Sequence, residues 1–236
     1  MPPSTTALVT GATHGIGRAT AFALGRAGYR VGVCARTGAK VESLVAELGA
    51  AGIEAAGRAA DVADPVQVTS AVEHVSQALG EIGVLVNNAG VLIARPIEAL
   101  TLEDWDTTMA TNLRGLFLMT RAVLPPMRAR GHGDIVNVAS LAARNGFAGG
   151  SAYVASKHAV LGFGRALMLE LRKEGIRVIT VCPGSVDTGM LRDQPVLKSD
   201  PARILQPEDV AETILHSLRL PERAMMSEVD IRPSNP

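Results

Sequence analysis

Short runs of β-branched and apolar residues alternate with longer amphipathic stretches along almost the whole 236-residue chain. This alternation predicts strand–helix–strand units whose strands lie parallel in one sheet. We place the strands at Ala7–Thr10, Arg30–Ala35, Ile53–Ala60, Val84–Asn87, Asp134–Val138, Arg177–Cys182 and Glu228–Ile231. Right-handed crossovers would put the helices between them on both faces of the sheet. The sequence therefore predicts a doubly wound α/β fold with a mainly parallel, seven-stranded sheet.

No linker, repeat or low-complexity tract divides the chain, so we expect a single domain over residues 1–236. Helix starts are predicted at Asp64-Pro65, at Thr101 with Asp104, and at Gln206-Pro207. The least regular segment, residues 189–207, is polar and contains proline. A loop of this length at an active-site edge predicts a substrate lid, with an ordinary surface connection as the alternative.

The first predicted strand ends in a glycine-rich turn, Thr10-Gly11-Ala12-Thr13-His14-Gly15-Ile16-Gly17, followed by a helix predicted over Arg18–Ala27. Glycines at such a turn let a pyrophosphate approach the backbone and lie at the positive end of the helix. The spacing differs from the Gly-x-Gly-x-x-Gly dinucleotide pattern, and Arg18-Ala19 follow where a P-loop has Lys-Ser/Thr. The turn indicates a dinucleotide site, with plain turn glycines as the alternative.

Tyr153 and Lys157 are separated by four residues at the start of a long predicted helix. This separation puts both side chains on one helix face, where the ammonium can stabilise the ionised phenol. A phenol titrates near about 10, so a nearby cation brings its pKa closer to the range of a general acid/base. The alternative is an exposed Tyr and Lys without a catalytic role.

An ordered set of motifs extends over essentially the entire chain. The glycine turn is followed by Asp61-Val62, Asn87-Asn88-Ala89-Gly90, Asn112, Ser140, Tyr153 with Lys157, and Pro183-Gly184. Together they resemble the short-chain dehydrogenase/reductase family, and in particular its members that act as 3-oxoacyl-[acyl-carrier-protein] reductases. The resemblance implies a Rossmann-type fold and hydride transfer between a nicotinamide and a small carbonyl or alcohol.

The resemblance also implies a role for each matching catalytic residue. Tyr153 would exchange a proton with the substrate oxygen, and Ser140 would hydrogen-bond that oxygen. Lys157 would bind the nicotinamide ribose and lower the pKa of Tyr153. Asn112 would hold a water that links Lys157 to solvent, and its alternative is a helix-kink residue. Asn87 is expected to be a structural brace.

The resemblance further implies a set of cofactor contacts. They are Gly11, Thr13, His14, Gly15, Ile16, Gly17, Arg36, Asp61, Val62, Asn88, Ala89, Gly90, Tyr153, Lys157, Pro183, Gly184, Val186 and Thr188. Asp61 and Val62 would contact the adenine, with a strand-end cap as the alternative for Asp61. Val186 and Thr188 would contact the nicotinamide amide.

The end of the second strand predicts which nicotinamide cofactor is used. NAD-binding units carry an acidic side chain about 20 residues past the glycines, where it accepts hydrogen bonds from the ribose. Ala35 occupies that position here and Arg36 follows it, with no acid between Val31 and Lys40. Because an arginine can pair with a 2′-phosphate, we expect NADP(H).

Composition and charge exclude several functions. Lys plus Arg and Asp plus Glu each number 23, and without a basic block we expect no binding to nucleic acid or membranes. The two cysteines close apolar runs and are expected to be buried, inert thiols, while the five histidines lack metal-ligand spacing, so we expect no metal. The N-terminus has no signal-like segment, which predicts a cytoplasmic protein.

The substrate is less constrained than the chemistry. A serine hydrolase is disfavoured because no Gly-x-Ser-x-Gly elbow occurs, which leaves an oxidoreductase or a catalytically silent NADP(H)-binding regulator. The expected pocket segments, Leu141–Phe147 and Val186–Leu191, suit a ketone or a 3-oxoacyl thioester. Four basic residues could receive an acyl carrier protein: Arg128, Arg130, Arg172 and Lys173. However, Glu228–Pro233 lacks the Asp-Gly-Gly usual in that subgroup.

The helix over His158–Leu171 is apolar nearly all round, as expected for a helix buried between subunits. We therefore predict a homo-oligomer, a tetramer or a dimer, in which this helix and the Thr101–Arg130 stretch form the interface. Trp105 and Phe117 are expected to be core or interface residues.

Overall fold

A computed structural model of the protein describes residues 5–194 and 200–234. Within these residues the chain forms seven strands: β1 (Thr6–Thr10), β2 (Arg30–Ala35), β3 (Ala55–Ala59), β4 (Ile82–Asn87), β5 (Gly133–Val138), β6 (Ile176–Pro183) and β7 (Glu228–Ile231). They pair in parallel in one sheet with the order β3-β2-β1-β4-β5-β6-β7. The predicted fold class is confirmed, and β3 begins two residues later than expected because Ile53 and Glu54 precede the ladder.

The described helices are α1 (Gly15–Arg26), α2 (Gly38–Ala50), α3 (Pro65–Leu79), α4 (Leu102–Met109), α5 (Gly115–Arg130), α6 (Ser151–Leu171), α7 (Gly189–Arg192) and α8 (Pro207–Leu218). A π-helical turn over Ala110–Arg114 joins α4 to α5, and a 3-10 turn over Leu141–Ala143 follows β5. The first helix begins at Gly15 rather than Arg18, so the last two glycines of the turn lie in its first turn.

Capping hydrogen bonds confirm the predicted starts of α3 and α4. The Asp64 carboxylate accepts hydrogen bonds from the backbone N–H groups of Val66 and Gln67 before Pro65 opens α3. Thr101 and Asp104 form a reciprocal capping box at α4. These contacts satisfy backbone donors that have no partner inside the helix.

The core consists of two apolar layers, one on each face of the sheet. On one face α1, α2 and α8 cover side chains such as Val9, Val33 and Val86. On the other face α3, α5 and α6 cover side chains such as Leu8 and Leu85. The central strands are apolar on both sides because helices cover both faces.

The strand order reverses between β1 and β4, and this opens a crevice at the carboxyl ends of the strands. The predicted lid begins with α7 at this edge, whereas its residues 195–199 lie outside the described part of the chain. None of the described helices is long and apolar enough to span a membrane.

Candidate active site

The glycine turn lies at the crevice, with the backbone of Gly11 close to the segment after β4. Gly11 has a φ of +62°, and a Cβ there would lie 2.9 Å from the Cα of Ala89. Asn88 fixes this approach, since its Nδ2 donates to the carbonyl oxygens of Thr10 at 2.9 Å and Gly11 at 3.2 Å. The two loops therefore form one rigid floor.

A cavity of about 240 Å³ lies above this floor. Its walls contain most of the predicted cofactor contacts: Gly11, Thr13, His14, Gly15, Ile16, Arg36, Asp61, Val62, Asn88, Ala89, Gly90 and Thr188. Gly17 does not line this cavity, because it packs where any Cβ would collide with the carbonyl oxygen of Gly11. Of the other predicted contacts, Tyr153, Pro183, Gly184 and Val186 line a neighbouring cavity, and Lys157 lines neither of the two.

Two cations flank one end of the cavity. Arg36 and Lys40 both line it and are exposed, and neither takes part in an ion pair among the described residues. Asp61 is the acidic residue of the lining, and its carboxylate accepts a hydrogen bond from the N–H of Ala63. Sequence reasoning missed Lys40, although its position four residues after Arg36 places it on the first turn of α2.

A second cavity, of about 460 Å³, adjoins the first, and Ile16, Thr188 and Met190 line both. Ser140 and Tyr153 lie in its wall, as do Pro183, Gly184 and Val186. Burial raises the pKa of Tyr153, and a hydrogen bond with Ser140 acts in the opposite direction. The structure thus brings together the predicted hydroxyl pair at an apolar cavity.

Lys157 is buried behind Tyr153, on the same face of α6. Its Nζ lies 5.7 Å from the centroid of the Tyr153 ring and donates a hydrogen bond of 2.9 Å to the carbonyl oxygen of Val138. Burial lowers the pKa of Lys157 to about 8. In this arrangement the group that lowers the pKa of Tyr153 is Ser140, whereas the sequence had predicted Lys157 for that effect.

Asn112 lies in the π-helical turn, which directs its side chain inward. Its Oδ1 accepts from the N–H of Val91 at 2.8 Å, and its Nδ2 donates to the carbonyl oxygen of Val91 and to Ser156 Oγ, both at 3.0 Å. Asn112 therefore joins the segment after β4 to α6, and its role in holding a water stays a prediction. Asn87 is a brace as expected, bonded to Thr120 and Asn137.

The family described as short chain dehydrogenase matches residues 5–196 of the chain. The chain belongs to the short-chain dehydrogenase family. It is 48% identical over 189 residues to a Streptomyces virginiae protein named for the ketoacyl reductase of a monensin polyketide synthase. This match covers 79% of this chain and 72% of that protein. It is 40% identical over 213 residues to a 3-oxoacyl-[acyl-carrier-protein] reductase of a Synechocystis species, with 88% and 86% covered.

A solved structure of an actinorhodin polyketide ketoreductase variant with NADPH has the same fold. It superposes with a TM-score of 0.91 at 37% identity, and the match covers 98% of this chain and 96% of that chain. The predicted family, its oxidoreductase class and its Rossmann-type fold are thereby confirmed.

Residues of both predicted pocket segments, Leu141–Phe147 and Val186–Leu191, line the second cavity of this short-chain dehydrogenase, but the packing of Phe147 against Gly150 was not predicted. Phe147 lines the cavity, and its ring is tilted at 56° to that of Tyr153 with 6.3 Å between centroids. Gly150 makes room for the ring, because a Cβ there would lie 2.5 Å from its Cε2 and 2.7 Å from its Cε1. No local pattern marks this pair.

Cys34 and Cys182 are free and buried, and burial raises the pKa of both thiols, that of Cys34 to about 12. This agrees with the predicted inert thiols. No group of three or more His, Cys, Asp or Glu that could hold a metal occurs among the described residues of this dehydrogenase.

Proposed function

We propose that this chain is an NADP(H)-dependent reductase of a ketone or 3-oxoacyl group, with Tyr153 as general acid/base. The observation that carries the proposal is that Ser140 and Tyr153 both line the second cavity, which adjoins the glycine-floored first cavity. A dinucleotide lying along the first cavity would present its nicotinamide at that junction.

The residues of the first cavity fit a phosphorylated dinucleotide. The close approach of Gly11 to Ala89 leaves no room for a side chain at Gly11, which suits a pyrophosphate that must lie against the backbone. Arg36 and Lys40 supply unpaired cations where a 2′-phosphate would lie, and the related actinorhodin enzyme was crystallised with NADPH. The nicotinamide supplies or accepts the hydride when it is bound.

Side chains of the protein transfer the proton to the substrate oxygen. Ser140 holds the substrate oxygen next to the Tyr153 hydroxyl, from which the proton moves to that oxygen during reduction. Lys157 lies behind the phenol, with its Nζ 5.7 Å from the centroid of the Tyr153 ring, and is the residue that would bind the nicotinamide ribose. Asn112 holds α6, the helix of Tyr153 and Lys157, through its hydrogen bond to Ser156.

The second cavity supports an uncharged, largely apolar substrate. Its lining contains no Asp, Glu, Lys or Arg among the described residues, and the side chains of Leu92, Leu141, Phe147, Met190 and Leu191 dominate it. Such a wall suits an alkyl or aryl ketone or a 3-oxoacyl chain better than a 2-oxo acid, whose carboxylate would find no partner.

Docking of an acyl carrier protein has weaker support. Of the four basic residues considered for it, Arg128 pairs with Glu170 and Glu174, and Arg130 pairs with Glu81. These two are therefore engaged within the chain. A cytoplasmic location stays a prediction.

Turnover with NADPH tests the proposed function. The purified protein is assayed for loss of NADPH absorbance against simple ketones, aryl ketones and an acetoacetyl thioester, and kcat/KM is compared across them. Reduction of at least one class is expected. Tight NADPH binding without turnover on any carbonyl would instead favour a silent regulator.

We also propose a homo-oligomer built on α4, α5 and α6. Four large apolar side chains are exposed on these helices: Leu102 at 75%, Trp105 at 37%, Phe117 at 42% and Leu169 at 57%. A subunit interface would remove them from water. Light scattering should show a dimer or tetramer that Leu169→Arg weakens, and a wild-type monomer at micromolar concentration would contradict this.

A further inference from the structure

A cluster of four charged side chains joins three segments of the chain next to the catalytic residues. Arg144 directly follows the 3-10 turn that begins after Ser140, Arg165 lies on α6, and Glu228 and Asp230 lie on β7. None of the four lines the two cavities of the site. We call these residues the β7 cluster.

Glu228 is the shared acceptor of the β7 cluster. Arg165 Nε donates to its Oε1 at 2.6 Å, and Arg144 Nη2 donates to its Oε2 at 2.7 Å. Arg144 Nε donates in addition to Asp230 Oδ1 at 2.7 Å. One carboxylate on the edge strand thus holds one arginine from the Ser140 segment and one from the helix of Tyr153.

Each arginine is rigidly connected to a catalytic residue. The N–H of Arg144 donates to the carbonyl oxygen of Leu141 at 2.9 Å, and Ser140 Oγ accepts from the N–H of Ala142 at 3.1 Å, so the turn from Ser140 to Arg144 is closed by its own hydrogen bonds. Arg165 and Tyr153 belong to the same uninterrupted helix, about three turns apart. A displacement of the backbone at either arginine would therefore be transmitted to a catalytic residue.

The β7 cluster is better suited to fixing the relative placement of the segments that it joins than to raising the free energy of unfolding. Its side chains are partly exposed, from 23% for Glu228 to 56% for Arg165, and ion pairs in contact with solvent contribute little to the free energy of unfolding. Hydrogen bonds from Arg165 and then Arg144 hold the pKa of Glu228 at about 2, so the carboxylate stays ionised under assay conditions. Forked arginine–carboxylate contacts are also specific in direction.

We propose that Glu228 is a positioning residue, which sets the placement of the Ser140 turn relative to the helix of Tyr153 by holding Arg144 and Arg165 together. This inference rests on the proposed function of Ser140 and Tyr153. Glu228 lines neither cavity. Edge strand β7 would then contribute to catalysis through Arg144 and Arg165 and without contacting the substrate.

The test is Glu228→Gln, with Glu174→Gln as a matched control. Glu174 likewise pairs with an arginine and accepts two hydrogen bonds from Arg128, but it lies in the 3-10 turn that follows α6 and makes no hydrogen bond with the Ser140 turn among the described residues. The measurements are kcat and KM for a prochiral ketone, the enantiomeric ratio of the alcohol, NADPH affinity, the unfolding temperature, and hydrogen exchange in residues 139–147. Should Glu228→Gln fail to fold, Arg144→Lys takes its place, because it keeps the charge and loses the fork.

Glu228→Gln should lower kcat roughly tenfold or more, since small displacements of catalytic groups are costly, while NADPH affinity stays unchanged. It should also change the enantiomeric ratio and speed exchange in residues 139–147, and Glu174→Gln should do neither. Wild-type kcat, enantiomeric ratio and exchange in Glu228→Gln would overturn the inference, as would equal losses in the control. If the wild type reduces no ketone, the proposed function fails, and the exchange comparison alone decides whether Glu228 positions the turn.

Discussion

The Lys157 ammonium donates a hydrogen bond of 2.9 Å to the carbonyl oxygen of Val138, inside a site where burial lowers the pKa of the lysine to about 8. A single hydrogen bond to a neutral carbonyl compensates only part of the cost of burying a charge. The buried charge of Lys157 therefore has a measurable effect on stability as well as on chemistry.

The first prediction is a pH-dependent stability difference between the wild type and Lys157→Met. Because the pKa of Lys157 falls from 10.5 in the unfolded chain to about 8 in the folded one, the unfolded chain binds more protons between these values. The free energy of unfolding of the wild type should therefore rise with pH relative to Lys157→Met, by roughly 3 kcal/mol between about pH 7 and pH 10.5. Denaturant titrations at several pH values measure it, and parallel pH profiles for the two proteins would contradict a depressed pKa.

The second prediction concerns the cofactor and Arg36. Replacing Arg36 by Asp removes a cation from the first cavity and adds a charge that repels a 2′-phosphate. Affinity for NADPH should fall by roughly tenfold to a hundredfold, in line with one lost charge-assisted hydrogen bond, while affinity for NADH changes far less.

Arg172→Asp is the control for this substitution, because Arg172 is exposed after α6 and does not line the first cavity. Titration of intrinsic fluorescence with both nucleotides gives the affinities. Equal kcat/KM of the wild type for NADH and NADPH would show that Arg36 does not select the cofactor.

The third prediction concerns the Phe147 wall. Gly150→Ala places a methyl group against the Phe147 ring and should push the ring into the second cavity. We expect kcat/KM for a bulky aryl ketone to fall roughly tenfold more than for a small ketone, because a pocket discriminates by about this factor per methylene.

Gly162→Ala provides the control, since Gly162 lies on α6, which Gly150 directly precedes, and a Cβ at Gly162 meets open space. It should leave the ratio of the two kcat/KM values unchanged. A uniform loss for both ketones in Gly150→Ala would mean that Phe147 does not shape the substrate pocket.

The sequence predicted the parts of this molecule that depend on local pattern. The parallel sheet follows from apolar runs such as Val84–Asn87, and the Asp64 cap follows from one acid before a proline. The floor of the first cavity follows from glycines at a strand-to-helix turn. Each of these features is indicated by residues that lie close together in the sequence.

The features that escaped prediction join residues far apart in the chain. Arg144 and Glu228 are separated by 84 residues, and nothing in either segment indicates the other. The π-helical turn at Asn112 depends on the contact of its side chain with Val91 and Ser156. The low pKa of Lys157 arises from burial, which a helical spacing of Tyr and Lys does not reveal.

Replacement of Tyr153 by Phe tests the central claim most directly, because it removes only the hydroxyl that is to exchange the proton. NADPH affinity, measured by titration, and the unfolding temperature should stay at wild-type values. The turnover number for the best ketone should fall by roughly a hundredfold or more, as expected for the loss of a general acid/base. A kcat in Tyr153→Phe comparable to that of the wild type would contradict the account.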